Sequence, residues 1–323
     1  MLDPDHIGRA LSRKVNDMTI DTKSTKPGRR KVYDIVTDRI IAELEKGTVP
    51  WKMTWKAAEP PKNLVSKRGY RGINVLILAL APFSSPYFAT IKQVNQLGGR
   101  VKKGEKGFPV VFWKFQETDS DTTSFAKGHA DEKNSNAPIL RYYTVFNAEQ
   151  CEGLEGTIPK EEEISFDPID ECEKVVSGYF DKPEVKYMNG LACYKPLLDS
   201  LFVPTPESFE SPENYYATLF HELVHSTGHE KRLGREEIQT LSVHGDHKYS
   251  KEELIAEIGA SFLCGKTKID INSIFDNQVA YIGSWLKTLK NDKRMIIYAA
   301  AKAQKAVDYI LKVKFPEETE HRS

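Results

Sequence analysis

The stretch His221-Glu222-Leu223-Val224-His225 constrains this chain more than any other. Two histidines four residues apart can reach one ion if the segment is helical, because positions i and i+4 then share a face. The glutamate beside the first histidine leaves such a helix about 100° away, where it can meet a water on the ion and act as general base. HExxH therefore demands a helix with one side at a polar centre, another side in a core, and a second element that brings a further ligand. The flanks agree. "SPENYYATLF" offers Ser211 as N-cap, Pro212 in the first turn and Glu213 near the positive helix end. Leu219, Phe220, Leu223 and Val224 supply the core side, and Gly228 is a natural stop, so the expected helix covers 212–227.

His229 continues the four-residue series, but Gly228 interrupts the helix before it. The metzincin pattern HExxHxxGxxH is excluded because position 231 is Lys. Downstream, "YSKEELIAEIGASFLCG" reads as an amphipathic helix over about 251–264 with Glu253 and Glu257 on one face. Glu257 is the expected third ligand. It sits mid-helix among Leu254, Ile255, Ile258 and Phe262, where a carboxylate is costly to bury without a partner. Glu253 stands nearer the expected helix start, where the dipole already favours it; Glu253 and His229 are the alternatives. Two imidazoles and a carboxylate suit zinc, so one divalent ion per chain is expected, with water in the fourth position. His244 and His247 read as solvated loop residues.

The net charge of zero over 323 residues conceals a division. Residues 1–116 hold 22 Lys and Arg against 10 Asp and Glu, a net of +12; the whole chain has 46 of each, so the remainder holds 24 and 36, a net of −12. A basic first half suggests a nucleic-acid partner. In "WKMTWK", "SKRGYRGIN" and "GGRVKKGEKG", cations are interleaved with aromatics and glycines. Aromatic faces can stack unpaired bases while Lys and Arg neutralise phosphates, which is binding to single strands without sequence readout. The candidate contacts are Trp51, Trp55, Lys67, Arg68, Tyr70, Arg71, Lys92, Arg100, Lys102, Lys103 and Lys106.

The expected fold class is α+β in two domains. Residues 1–30 read as a polar, flexible basic arm, 31–158 as a small basic domain, and 159–323 as a mainly helical domain opening on the acidic run "PKEEEISFDPIDECE". Helical spacing marks 32–47; 72–81 is expected to be a buried helix, with a strand as the alternative by periodicity; 90–101 reads as a short helix that starts at a Thr90 cap and ends at Gly98-Gly99. "FPVVFWKFQE" and "PILRYYTVFNAEQ" read as strands around a long polar loop at 118–137. Two helices fill 276–312. No apolar run approaches membrane-span length, and the charged N-terminus has no signal-peptide core. Cys151, Cys172, Cys193 and Cys264 lack a CxxC pair and read as free thiols, so a cytoplasmic location is expected.

Together the two halves resemble the ArdC-type antirestriction proteins of plasmids and other mobile elements, and the first half looks like the N-terminal module of TraC-type plasmid primases. The resemblance rests on "GTVPWKMTW", "GYRGIN", "TIKQVNQLGGRVKKGEKG" and "YYTVFNAEQCEGL", then "YYATLFHELVHSTGHEKRLGR", "EELIAEIGASFLCG" and "YIGSWL". Where the family reads Pro-Trp at its second tryptophan, this chain has Thr54-Trp55. The resemblance implies an N-terminal single-stranded DNA-binding domain, a C-terminal zincin-like metallopeptidase domain and protection of incoming DNA from restriction. It assigns metal ligation to His221, His225 and Glu257 and the acid/base role to Glu222. Two other readings stand beside it: a DNA-tethered peptidase that cleaves a host protein, and a non-catalytic DNA-shielding protein with a structural metal.

Overall fold

The computed structural model describes residues 31–52, 60–114, 139–159, 167–239, 247–269 and 279–313. The N-terminal arm, the 118–137 loop, the acidic residues 160–166, Trp55, His244 and the side chain of His247 lie outside the described residues.

Apolar residues at helical spacing build α1 (Val32–Glu45), whose Val36, Ile40, Ile41 and Leu44 are buried. It ends before Gly47, which takes the left-handed φ of 82° that a side chain resists. A 3₁₀ turn at Pro50–Lys52, β1 (Lys62–Asn63) and α2 (Ile73–Ala79) follow. Next come β2 (Tyr87–Ala89) and α3 (Ile91–Gln96). Thr90 and Gln93 form a capping box that starts α3. This helix stops before Gly98-Gly99, the end the sequence predicts; Gly98 turns the chain at φ 82° and Arg100–Val101 forms β3. Then come β4 (Phe108–Lys114), β5 (Ile139–Asn147), a 3₁₀ turn at Ala148–Gln150 and β6 (Cys151–Glu152). Strand order is β1-β2-β5-β4 in one sheet and β3-β6 in another.

Downstream lie α4 (Pro168–Gly178) and a small sheet of β7 (Glu184–Tyr187), β8 (Cys193–Lys195) and β9 (Ser200–Val203) in the order β7-β9-β8. There β7 runs parallel and β8 antiparallel to β9, so β8 is an edge. The remaining helices are α5 (Pro212–Ser226), α6 (Glu236–Gln239), α7 (His247–Thr267), α8 (Val279–Asn291) and α9 (Met295–Ile310). The class is α+β, as the sequence predicts.

Central to this part is α7, which packs against α5 on one side and α9 on the other. Gly259 lets α5 come close: a Cβ there would stand 2.8 Å from both methyl carbons of Val224. The chain separates into two units, residues 1–32 with 111–143, and residues 33–110 with 144–323. In the first, the rings of Phe112 and Tyr143 lie 5.7 Å apart. In the second, the early elements pack on the late helices. Thr37 Oγ1 donates to the Lys293 carbonyl (2.5 Å), the Gly72 N–H donates to Gln304 Oε1 (3.0 Å), and Arg71 pairs with Asp308.

Candidate metal centre

Ser211 caps α5 by accepting the Asn214 N–H at 3.3 Å. With Leu219, Phe220, Leu223 and Val224 buried, the helix can turn only one way, and that orientation sends His221 and His225 to the same side. Their Nε2 atoms stand 3.1 Å apart. Glu253 of α7 completes the group, its carboxylate oxygens 3.5 Å from each Nε2. One ligand atom from each of His221, His225 and Glu253 lies within 4.8 Å of the others. Two imidazole nitrogens and one carboxylate oxygen at one point suit a divalent ion of the zinc or manganese kind. Burial raises the Glu253 carboxyl, but the two histidines outweigh it and hold the group ionised, far below its ordinary range.

Glu257, the ligand expected from the sequence, is not in this group. Its Oε2 accepts the indole N–H of Trp51 at 2.8 Å. The reason lies in the start of α7, which is His247 and not a residue near 251. Glu253 therefore stands in the second turn, beyond the range of the helix dipole that seemed to account for it. His229, the other alternative, also stays outside: its Nδ1 accepts the Lys231 N–H at 3.3 Å beyond the end of α5.

Behind the histidines lies a layer the sequence reading missed. Glu252 is 0% exposed, and its Oε1 is 3.1 Å from His225 Nδ1. An ionised carboxylate can only accept, so Nδ1 carries a proton and Nε2 is the nitrogen that could bind a metal. Burial works against the Glu252 charge, but Arg235 overcomes it and lowers the carboxyl. Arg235 Nη2 donates to Glu252 Oε1 at 2.6 Å and Nε donates to Oε2 at 3.0 Å. The same guanidinium donates to the Val224 carbonyl (2.8 Å) and to Thr227 Oγ1 (2.6 Å), closing the carbonyl end of α5. Gly228 makes room for it, since a Cβ there would meet Arg235 Nη2 at 2.9 Å. The doubled Glu252-Glu253 was the available signal: adjacent helical carboxylates point about 100° apart and can serve two layers.

Glu222 is buried, and its Oε2 accepts the backbone N–H of Tyr194 on β8 at 2.7 Å. No sequence pattern shows that contact, because it joins a helix to the edge of a sheet. Burial pushes the thiols of Cys151, Cys172, Cys193 and Cys264 up, so none supplies a ready thiolate.

The nucleic-acid candidates divide. Trp51 is 1% exposed and packs edge-on against Trp285 at 6.2 Å, so it cannot stack a base; that expectation is corrected. Tyr70 packs edge-on against Phe88, and Arg71 is held by Asp308. Arg100 pairs with Glu152 at 2.6 Å, and Lys102 donates to the Glu149 carbonyl at 2.8 Å. Lys67, Arg68, Lys92, Lys103 and Lys106 are exposed. Asn63 joins the turn bearing Lys67 and Arg68 to α3, donating to Gln93 Oε1 at 3.3 Å.

A helix bearing HExxH, a glutamate from a second helix and a flanking edge strand define a zincin-like centre. The sequence matches the zincin-like metallopeptidase family over residues 179–302 and the N-terminal domain of anti-restriction factor ArdC over residues 30–146. Two solved structures of antirestriction ArdC from plasmid R388, one metal-free and one Mn(II)-bound, resemble the chain with TM-scores of 0.68 and 0.69. They are 37% and 36% identical to it, and the match covers 88% of this chain and 97% and 98% of theirs. An uncharacterized protein, y4eC of Sinorhizobium fredii, is 32% identical, with 91% of this chain and 95% of that protein covered. A DNA primase TraC of Escherichia coli is 34% identical over 296 residues, which is 88% of this chain but 20% of the primase; for a second such primase the chain spans 27%. The chain belongs to the ArdC antirestriction family. No helix among the described residues is long and apolar enough to cross a membrane.

Proposed function

We propose that this protein is an antirestriction factor that binds single-stranded DNA through its basic first part, residues 31–158, and carries a zinc-dependent peptidase centre in residues 159–323. The observation that carries the second half is the convergence of His221, His225 and Glu253, with Glu252 fixing the tautomer of His225 from behind. The three residues would hold one zinc ion, which when bound supplies a Lewis acid and an acidified water.

The chain's own residues divide the remaining work. Tyr194 N–H holds Glu222 Oε2, leaving Oε1 to take a proton from an attacking water and return it to the leaving nitrogen. The edge position of β8 leaves room for an extended peptide beside that carboxylate. Arg235, tied to Glu252 and to the end of α5, keeps the histidines in place as this happens. For the DNA half, support comes from the exposed Lys67, Arg68, Lys92, Lys103 and Lys106 and from the match to the ArdC N-terminal domain.

The test uses the purified full-length chain. Elemental analysis is expected to find about one divalent ion per chain, lost in His221→Ala. Binding of an unstructured oligonucleotide is expected to weaken steeply with salt, because phosphate contacts release counterions. Protection of incoming DNA from restriction is then compared between the parent and Glu222→Gln. Loss of protection makes cleavage the purpose; full protection leaves DNA binding as the antirestriction activity. Absence of metal, or salt-independent DNA binding, overturns the corresponding half of the reading.

A further inference from the structure

Away from the metal centre, Phe180 follows α4 and leaves 67% of its surface in solvent. Its ring lies 5.9 Å from that of Tyr309 on α9, inclined by 38°. Lys312 Nζ stands over the Phe180 ring, 5.1 Å from its centre. The backbone of Lys312 takes φ 52°, a left-handed conformation costly for a lysine, and the Val313 N–H closes the turn on the Asp308 carbonyl at 2.9 Å. Beside these rings opens a groove of about 470 Å³, whose lining includes Phe180, Lys305, Asp308, Tyr309, Lys312 and Val313.

The carboxylates at the groove are both engaged. Asp308 is taken by Arg71 and by Gln304, whose Nε2 donates to it at 3.2 Å. Asp181 accepts the Tyr309 hydroxyl at 3.0 Å and faces Arg232 Nε at 3.5 Å. Lys305 and Lys312 have no carboxylate partner among the described residues. An exposed aromatic side chain flanked by lysines that have no carboxylate partner among the described residues is chemistry that accepts an unpaired base and its phosphates. An apolar peptide would leave both ammonium groups unanswered. Arg71, which reaches Asp308 at the groove, belongs to the basic first part, so a strand lying on that part can continue into the groove.

We propose that the Phe180–Tyr309 groove binds single-stranded DNA, one base stacking on Phe180 while Lys305 and Lys312 take neighbouring phosphates. The inference rests on the reading that the chain binds single strands, and it adds a contact outside the N-terminal domain. Full-length protein is titrated with a fluorescein-labelled oligothymidylate at several salt concentrations. Phe180→Ala is expected to weaken binding about ten- to hundredfold, the loss of one stacked base, while Phe180→Tyr stays within about twofold of the parent. Lys305→Gln and Lys312→Gln are each expected to flatten the slope of log affinity against log salt by roughly 0.7. Phe180 is exposed, so its variants should melt as the parent does; if one does not fold, the two lysine slopes decide. Parent-like affinity in Phe180→Ala, or unchanged slopes in both lysine variants, overturns the groove assignment alone. Changed sedimentation of Phe180→Ala with unchanged DNA affinity assigns the groove to a second copy of the chain. A parent protein that does not bind the oligonucleotide overturns the single-strand reading and this inference with it.

Discussion

Helices α5 and α7 each bring two metal-competent side chains four residues apart, but they spend them differently. On α5, His221 and His225 meet at one point; on α7, Glu253 joins them while Glu257, one turn further on, holds the indole of Trp51. Four residues advance a helix by about 6 Å, so two side chains on one face need not meet the same neighbour. One turn of α7 therefore faces the histidines and the next faces another part of the molecule. The i,i+4 rule says which side chains share a face, and the crossing says which of them share a partner.

The largest expected effect breaks the comparison if it fails. Glu253→Ala is expected to weaken metal binding by more than about 100-fold, beyond the 10–100-fold typical of losing a supporting residue. Glu257→Gln should hold metal within about tenfold of the parent. Calorimetric titration of the metal-stripped protein measures both, and equal losses would return Glu257 to the ligand set.

Next in size is the layer behind the histidines. Arg235→Met leaves Glu252 buried without its main counter-charge, and breaking a buried pair from one side costs about 3–5 kcal/mol. Chemical denaturation of the metal-free protein should show this loss. A loss below about 1 kcal/mol would mean that Glu252 relaxes elsewhere.

Trp51→Phe sharpens the other side of the comparison. It keeps an aromatic ring against Trp285 but removes a hydrogen bond to a carboxylate, expected to cost about 1.5–3 kcal/mol of stability. If Glu257 is a structural anchor, the metal content of this variant stays at the parent's level.

The smallest effect is electrostatic. Burial raises Asp199, but Arg232 and Tyr194 outweigh it and hold the carboxyl below its ordinary value of 3.8. Glu237 is likewise raised by burial and lowered further by Lys302, below its ordinary 4.5. A depressed carboxyl contributes stability that is present above its unfolded value and lost as pH falls through the folded one. Melting temperature should therefore drop below about pH 4.5 and fall further below 3.8, and Asp199→Asn should flatten the lower part of that drop.

Much of the fold was legible because local rules suffice for it. Ser211 and Thr90 cap their helices, Gly47 ends α1, and the apolar spacing of α1 matches its buried face. Boundaries were harder. Helix α7 begins at His247, four residues before its expected start, and the two-residue β3 went unread because its partner β6 lies some fifty residues later. For the same kind of reason Trp51 misled: a Trp in a Pro-rich stretch can face solvent or a core, and this one found Trp285 and Glu257 far along the chain.

By itself the sequence determined that His221 and His225 would share a helical face with Glu222 beside them, because four residues make one helical turn whatever surrounds it. It also pointed to a carboxylate on a downstream helix as the group that joins them. Which glutamate that is, which carboxylate supports His225 and what Arg235 does were decided by tertiary structure alone. Glu252, Glu253 and Glu257 are alike in type and helical setting, and they differ only in what the fold packs against them: the Arg235 guanidinium and His225, the two imidazoles, and the Trp51 indole.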